Sequence, residues 1–372
     1  MNGPPAVYTS LFAKIPNYET LRTLAPQILS GNGGLKIKTS GSTGKPKAVL
    51  LSAASICASI SATTTHLGAS GQWLLTLPTT HVAGTMVVLR SLAAGHLPLT
   101  YADHPFTVAR FLACCADFKA GIDRFTSLVP TQLFRLLENP TPELLECLRS
   151  FKAILVGGAS LPANLITKAK ALNLPLVFTY GMSETSGGCV YEGKPLPGVQ
   201  VKLTPEGNIL LSTPTLATGY LTESGFSALP VVRMGAEKFF TTSDSGTLDQ
   251  AGILTVTGRL DDVLISGGLN IAPARIESLL SAEERFGQVC VVGVPDPQWG
   301  QKLIALCSGE TFADARSRAR ELITAAHPSP WVPKDFFFSV PLPQLNSGKL
   351  DRLTARTLAC TLSNTRDDTL GE

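Results

Sequence analysis

Leu35-Lys36-Ile37-Lys38-Thr39-Ser40-Gly41-Ser42-Thr43-Gly44-Lys45-Pro46-Lys47 is the stretch on which the architecture turns. A strand-like run, Leu35–Thr39, passes into hydroxyls, glycines and two lysines, and a helix-like stretch opens at Ser52. Glycines let the backbone come close to a ligand, while N–H groups and hydroxyls can wrap phosphate oxygens and lysines supply positive charge. Two readings stand side by side: a cradle for a triphosphate, or a Gly/Ser turn after a strand. A Walker A loop is excluded, because Pro46 follows Lys45 and the glycine spacing fails G-x-x-x-x-G-K-[ST].

Outward from that stretch, strand-like runs at Trp73–Leu77, Lys152–Val156 and Leu176–Thr179 alternate with helix-like stretches at Ser52–His66, Thr85–Ala94, Thr131–Glu138 and Pro162–Leu172. Such alternation predicts an α/β fold with a largely parallel, helix-covered sheet. Beyond Gly198 short strands are joined by tight turns, Pro205-Glu206-Gly207-Asn208 and Asp249-Gln250-Ala251-Gly252, which predicts an antiparallel section. After Gly258-Arg259 a further unit is expected, with strands at Val289–Val294, Leu303–Cys307 and Phe336–Val340 and an amphipathic helix at Phe312–Ala326. The boundary is placed near Asp261: a large N-terminal domain over 1–260 and a small α+β C-terminal domain over 261–372. No low-complexity linker separates them, so the junction is expected to be a tight hinge.

The bulk properties agree. The chain of 372 residues exceeds one ordinary domain of ~150 residues. Hydrophobic residues at 44% against charged residues at 16% describe a packed interior rather than a disordered chain. The net charge of +3 is scattered, with no basic block or interleaved aromatics, so nucleic-acid binding has no support. Eight cysteines show no C-x-x-C or zinc spacing and read as buried thiols in a reducing cytoplasm. MNGPPAVYTS lacks a basic start followed by an apolar core, so no signal or transit peptide is read. Ala48–Leu89 carries no formal charge, but its Ser, Thr, His, Gln and Pro residues mark core rather than a membrane span.

The first motif resembles the phosphate-binding signature of the adenylate-forming superfamily of acyl-CoA synthetases, luciferases and peptide-synthetase adenylation domains. Further segments follow in that family's order: Gly157-Gly158-Ala159, Tyr180-Gly181-Met182-Ser183-Glu184, Thr242-Ser243-Asp244, Gly258-Arg259-Leu260-Asp261-Asp262 and Ser347-Gly348-Lys349. The resemblance implies ATP, Mg2+ and coenzyme A as reactants and a mobile C-terminal domain. Thr39, Ser40, Gly41, Ser42, Thr43, Gly44, Lys45 and Lys47 would hold phosphates. Gly157, Gly158 and Ala159 would flank adenine, and Tyr180 would stack on it within the segment that continues through Gly181, Met182 and Ser183. Glu184 would hold magnesium, a hard cation that prefers oxygen ligands. Asp244 would accept from the ribose hydroxyls, Arg259 would contact ribose or phosphate, and Asp261 would be the hinge. Lys349 would be the mobile catalytic lysine. His81 would stand between acyl pocket and adenylate, and Gly267 and Gly268 would line the path of coenzyme A. Taken singly, Glu184 reads as a surface carboxylate, Asp261-Asp262 as a solvated turn, Lys349 as an exposed lysine and His81 as an ordinary polar residue.

Four positions depart from the family's usual residues: Ser183 for Thr, Ser243 for Gly, Arg275 for Glu and Leu345 for Thr. The first motif begins as early as Thr39, so the cleft on that side is expected to be built differently. Ser127-Leu128-Val129-Pro130-Thr131-Gln132-Leu133, Leu77–Gly95 and the run from Val291 to Gln301 resemble the o-succinylbenzoate–CoA ligases of menaquinone synthesis, in their compact bacterial form. That resemblance implies ATP-dependent adenylation of a small carboxylic acid, 2-succinylbenzoate, followed by thioester formation with coenzyme A. A CoA ligase for another aryl or medium-chain acid, or a catalytically silent nucleotide-binding protein, are the rival readings. A homo-oligomer is compatible with the composition, and no feature selects an oligomeric state.

Overall fold

The alternation builds a seven-stranded sheet in the order Lys194–Pro195, Gly187–Tyr191, Leu176–Met182, Ala153–Gly157, Arg124–Leu128, Gln72–Leu75, Leu99–Thr100. The last five of these run parallel, Gly187–Tyr191 is antiparallel to Leu176–Met182, and Lys194–Pro195 is antiparallel to Gly187–Tyr191. This is a computed structural model; it describes residues 12–15, 17–39, 47–101, 104–159, 161, 163–345 and 348–369, with the backbone alone at 163 and 365–369. The described residues divide into two compact units, one within Met1–Ala159, Leu172–Thr242 and Thr247–Thr255, the other within Ser160–Ala171, Ser243–Gly246 and Val256–Glu372.

In the first unit the helix Val82–Ala93 is buried from Gly84 to Ser91 and packs on Gln72–Leu75, Arg124–Leu128 and Gly187–Tyr191. Burial on every side explains its lack of a polar stripe. Helix starts are chemically marked. Ser52 Oγ accepts from Ser55 N at 3.1 Å ahead of Ala53–Leu67, and Thr141 Oγ1 accepts from Leu144 N at 3.2 Å ahead of Pro142–Arg149.

Leu35–Thr39 does not join the parallel sheet. The strand Gly34–Thr39 pairs antiparallel with Lys47–Ser52 in a separate sheet ordered Phe12–Lys14, Gly34–Thr39, Lys47–Ser52, Gly219–Thr222, Gly225–Ser227. The sequence reading gave Lys47–Ser52 no strand of its own. Yet Val49, Leu50 and Leu51 are buried at 0–1% exposure, an apolar run short enough for a strand enclosed on both faces. A third sheet, ordered Gln200–Leu203, Asn208–Ser212, Glu237–Leu248, Val231–Met234, carries Leu254–Arg259 as a further partner of Glu237–Leu248 and holds the predicted antiparallel section. Its edge strand Val231–Met234 is exposed at all four residues.

The second unit is built on Val289–Asp296 antiparallel to Gly300–Cys307, with Asp335–Phe337 parallel to the latter. One face, with Val289, Val291, Leu303 and Ala305, meets Ile276, Leu280, Ala319 and Ile323 of the helices Pro273–Ser281 and Ala315–Ala326. The other, with Cys290, Val292, Ile304 and Leu306, meets Ala355 and Ala359 of Arg352–Thr369. Both faces are covered, so these strands read as continuous apolar runs. All eight cysteines are free, four buried and four partly buried. Among the described residues no helix is long and apolar enough to cross a membrane.

One irregularity bears on the site. The pairing of Leu176–Met182 with Gly187–Tyr191 slips between Tyr180 and Gly181. A Cβ on Gly181 would lie 2.1 Å from the Gly187 carbonyl oxygen and 2.6 Å from Gly188 Cα, so this bulge closes only around glycine. Gly181→Ala is expected to cost about 2–3 kcal/mol of stability by forcing the backbone apart. Chemical denaturation measures it, and an unchanged midpoint would show that the bulge has slack.

Candidate active site

The slipped pairing ends in a single 3-10 turn, Ser183–Thr185, which presents Glu184. The turn is tied down from several sides. Met182 N donates to Thr185 Oγ1 at 3.0 Å, and Thr185 Oγ1 donates to Gly187 O at 2.7 Å. Ser186, at φ 53°, donates through Oγ to Thr215 O at 2.8 Å and accepts at its carbonyl from Ser59 Oγ at 2.9 Å. Ala217 N donates to Glu184 O at 2.8 Å. Thr185 and Ser186 are fully buried, so the carboxylate stands on a backbone with little room to shift.

Two side chains from the neighbouring sheet meet that carboxylate. Tyr220 Oη donates to Glu184 Oε1 at 3.0 Å, and Lys47 Nζ lies 3.5 Å from the same oxygen. The Lys47 ammonium also sits 3.9 Å from the centroid of the Tyr220 ring, a cation–π contact. Tyr220 and Lys47 come together because Gly219–Thr222 and Lys47–Ser52 are adjacent antiparallel strands, with Leu221 opposite Ala48. Burial first, then the Glu184 charge and hydrogen bond, raise the Tyr220 pKa above the ordinary phenol value. Thr39 lies directly opposite Lys47, and its Oγ1 donates to Lys47 O at 3.4 Å. Ser40, Gly41, Ser42, Thr43, Gly44 and Lys45 lie outside the described residues.

The second unit gathers Asp244, Arg259, Asp261 and Lys349. Arg259 grips Asp261 with a two-point fork, Nε to Oδ1 at 2.8 Å and Nη2 to Oδ2 at 2.7 Å, and its Nη1 lies 3.3 Å from Asp244 Oδ1. Those bonds to Asp261, ahead of the opposing effect of burial and the added pull of Asp244, raise the Arg259 pKa further. Lys349 follows Gly348, at φ 77°, and its carbonyl accepts from Leu345 N at 2.8 Å. The residue as a whole is exposed. Desolvation, then repulsion from Arg259, lower its pKa from 10.5, with Asp244 opposing. Gly267 and Gly268, at φ 57° and 79°, form the two-residue turn between Leu264–Ser266 and Leu269–Ile271.

The remaining predicted residues sit along the large sheet. Gly157 closes Ala153–Gly157, where a Cβ would come within 2.3 Å of Thr179 Oγ1. Gly158 is at φ 88°, and Ala159 is exposed. Tyr180 and Met182 are half-buried against the main core. His81 caps the helix Val82–Ala93 by position, with Thr80 Oγ1 3.2 Å from its Nδ1.

Sequence reasoning missed Arg90. It is 6% exposed inside Val82–Ala93, and its Nε and Nη2 are buried without a hydrogen-bond partner. Its guanidinium lies 5.4 Å from the Trp73 ring centroid, and a Cβ on Gly187, three residues beyond Glu184, would lie 3.9 Å from Nη2. A signal was there to read: the uncharged run Ala48–Leu89 ends on this arginine, within a helix apolar all round. Tyr220 was missed as well, and no pattern in the sequence links it to Glu184. Among the described residues no group of three or more His, Cys, Asp or Glu side chains is placed to hold a metal.

Residues 37–221 match the family described as AMP-binding enzyme, and residues 275–349 match the AMP-binding enzyme C-terminal domain. The chain is 36% identical over 329 residues to the probable 2-succinylbenzoate–CoA ligase of Mycobacterium tuberculosis, covering 86% of this chain and 82% of that one. It is 31% identical over 335 residues to the 2-succinylbenzoate–CoA ligase of Listeria monocytogenes, covering 84% and 68%. Among solved structures, o-succinylbenzoate CoA synthetase from Bacillus subtilis, in complex with its acyl-adenylate intermediate, superposes with a TM-score of 0.70 at 27% identity over 87% of this chain and 68% of that one. The amide bond synthetase McbA of Marinactinospora thermotolerans superposes as well, with a TM-score of 0.71 over 87% and 69% at 23% identity, a likeness of fold alone.

Tyr220→Phe removes the hydroxyl and keeps the ring. A hydrogen bond to a charged partner is worth about 1.5–3 kcal/mol, so a loss of that size in urea denaturation is expected. Wild-type stability in the variant would mean that Lys47 alone holds the carboxylate.

Proposed function

The chain belongs to the AMP-binding enzyme family, and from that premise we propose that it activates 2-succinylbenzoate with ATP and transfers the acyl group to coenzyme A, a cytoplasmic step toward menaquinone. The observation that carries the choice of acid is Arg90. A buried guanidinium with two unpartnered nitrogens is costly unless a carboxylate answers it. 2-Succinylbenzoate carries two carboxylates, so one can be activated while the other satisfies Arg90. Benzoate and octanoate have only the one that reacts.

Attack of a carboxylate on the α-phosphate, with pyrophosphate leaving, depends on positioning and charge neutralisation. In this reading Thr39 and Lys47 flank the Ser40–Pro46 cradle, and Lys47 brings its charge already placed by Glu184 and Tyr220. Glu184 offers a fixed, hard oxygen ligand. That fits Mg2+, which is held through one or two carboxylates together with phosphates and water. When bound with ATP, the ion spreads the negative charge of the phosphates. Gly157, Gly158, Ala159 and Tyr180 receive adenine, Asp244 the ribose and Arg259 the ribose or phosphate. Lys349 stabilises charge developing during adenylation, and we place the hinge at Asp261, where domains 1–260 and 261–372 meet. His81 faces the acyl group, and the turn at Gly267 and Gly268 leaves the path of coenzyme A clear.

Pyrophosphate release is expected to be at least about 100-fold faster in kcat/KM with 2-succinylbenzoate than with benzoate or octanoate. Arg90→Met should abolish that preference while leaving thermal stability equal or higher, because it removes an unpaired buried charge and keeps the volume. Equal rates across the acids in the wild type would overturn the substrate. A retained preference in Arg90→Met would take Arg90 out of the acid site.

A further inference from the structure

The turn that carries Lys349 is closed by backbone bonds, among them Asp351 N to Pro343 O at 2.9 Å. Gly348 N donates to Leu345 O at 2.8 Å, Leu345 N to Lys349 O at 2.8 Å, and Gln344 bridges to Leu350, a hairpin only a few residues deep. Directly after it, Asp351 caps the last helix of the described chain, accepting from Thr354 N at 3.1 Å and from Thr354 Oγ1 at 2.8 Å. The first residue of that helix, Arg352, makes the strongest polar contacts of the region. Its Nη1 and Nη2 both donate to Glu277, each at 2.7 Å, and Nη1 reaches Val291 O at 3.3 Å. Glu277 Oε1 accepts from Val291 N at 2.8 Å as well, and Arg352 Nε lies 3.9 Å from Asp262 Oδ2. One guanidinium thus spans the helix Pro273–Ser281, the strand Val289–Asp296 and the residue after Asp261.

We propose that Arg352 is a positioning residue for adenylation: its fork on Glu277 fixes the start of the helix Arg352–Thr369 and thereby the turn that carries Lys349. This rests on the role given to Lys349 above. Three residues of chain reach at most about 10 Å, so a clamped Arg352 leaves Lys349 a small range. A planar fork is needed, because an ammonium in its place makes a point contact that can swivel. Glu277 is 13% exposed at its side chain, so the pair is shielded enough to hold its geometry.

The test separates the half-reactions in single-turnover experiments on the full chain. With ATP saturating, Arg352→Gln is expected to slow acyl-adenylate formation by about 10- to 100-fold, the scale of a displaced transition-state contact. Thioester formation from adenylate supplied ready-made should stay within about twofold of wild type, since Lys349 has left by then. Arg352→Lys should recover less than half of the loss on a logarithmic scale. Glu277→Gln, which keeps the shape and weakens the fork, should show the same selectivity at a smaller amplitude, and it carries the test if Arg352→Gln fails to fold. If Arg352 acts through Lys349, the double variant Lys349→Ala/Arg352→Gln should be no slower in adenylation than Lys349→Ala alone, within about twofold. Losses that multiply in the double variant, or that fall equally on both half-reactions, would overturn the proposal and leave Arg352 a structural brace. The substrate reading fails separately: if wild type makes no adenylate from 2-succinylbenzoate, the same cycle runs with whichever acid releases pyrophosphate.

Discussion

The Glu184 carboxylate is held between a hydroxyl at 3.0 Å and an ammonium at 3.5 Å, and the first unit is arranged around keeping it there. Its three participants come from distant parts of the chain, at 47, 184 and 220. The turn at Ser183–Thr185 exists because the pairing slips at Gly181, and the two partners exist because a second sheet sets Lys47 and Tyr220 on neighbouring strands. With side-chain exposures of 12% for Glu184 and 33% for Lys47, water screens the pair only in part. An anion among anions is unfavourable unless its counter-charge is in place beforehand, and here it is built in.

How much of this could be read from the sequence follows from the range of each interaction. Glu184 and Lys47 sit in short motifs whose order along the chain is itself informative, and the parallel sheet announces itself through alternation. The strand Lys47–Ser52 was hidden because the hydroxyls and glycines before it and the helix start at Ser52 drew the eye past six apolar-rich residues. Tyr220 was illegible for a different reason: its importance lies in a cross-strand register, set by hydrogen bonds that no local pattern encodes. Arg90 was legible and passed over. A lone charge that ends a long uncharged run is a physical anomaly in its own right, since a buried cation has to find its counter-charge somewhere.

Fold alone does not choose the chemistry, as the likeness to an amide bond synthetase makes plain. Two arginines here carry opposite kinds of tension. Arg90 is a cation with too few partners. Arg259 is a cation with two carboxylates at hand that at the same time repels a third cation, Lys349. The fork on Asp261 stands at the proposed hinge, so rotation there has to carry that pair along or break it.

The edge strand Val231–Met234 has a consequence outside catalysis. Among the described residues no strand pairs with its outer side, and it carries three exposed apolar side chains, Val231, Val232 and Met234, at 49%, 41% and 41%. Such an edge is a template on which another chain can add a strand. Arg233 is the only charge within it, and like charges on two approaching copies oppose such pairing. High ionic strength shortens the reach of that repulsion, so concentrated preparations of this protein should keep longest in dilute salt.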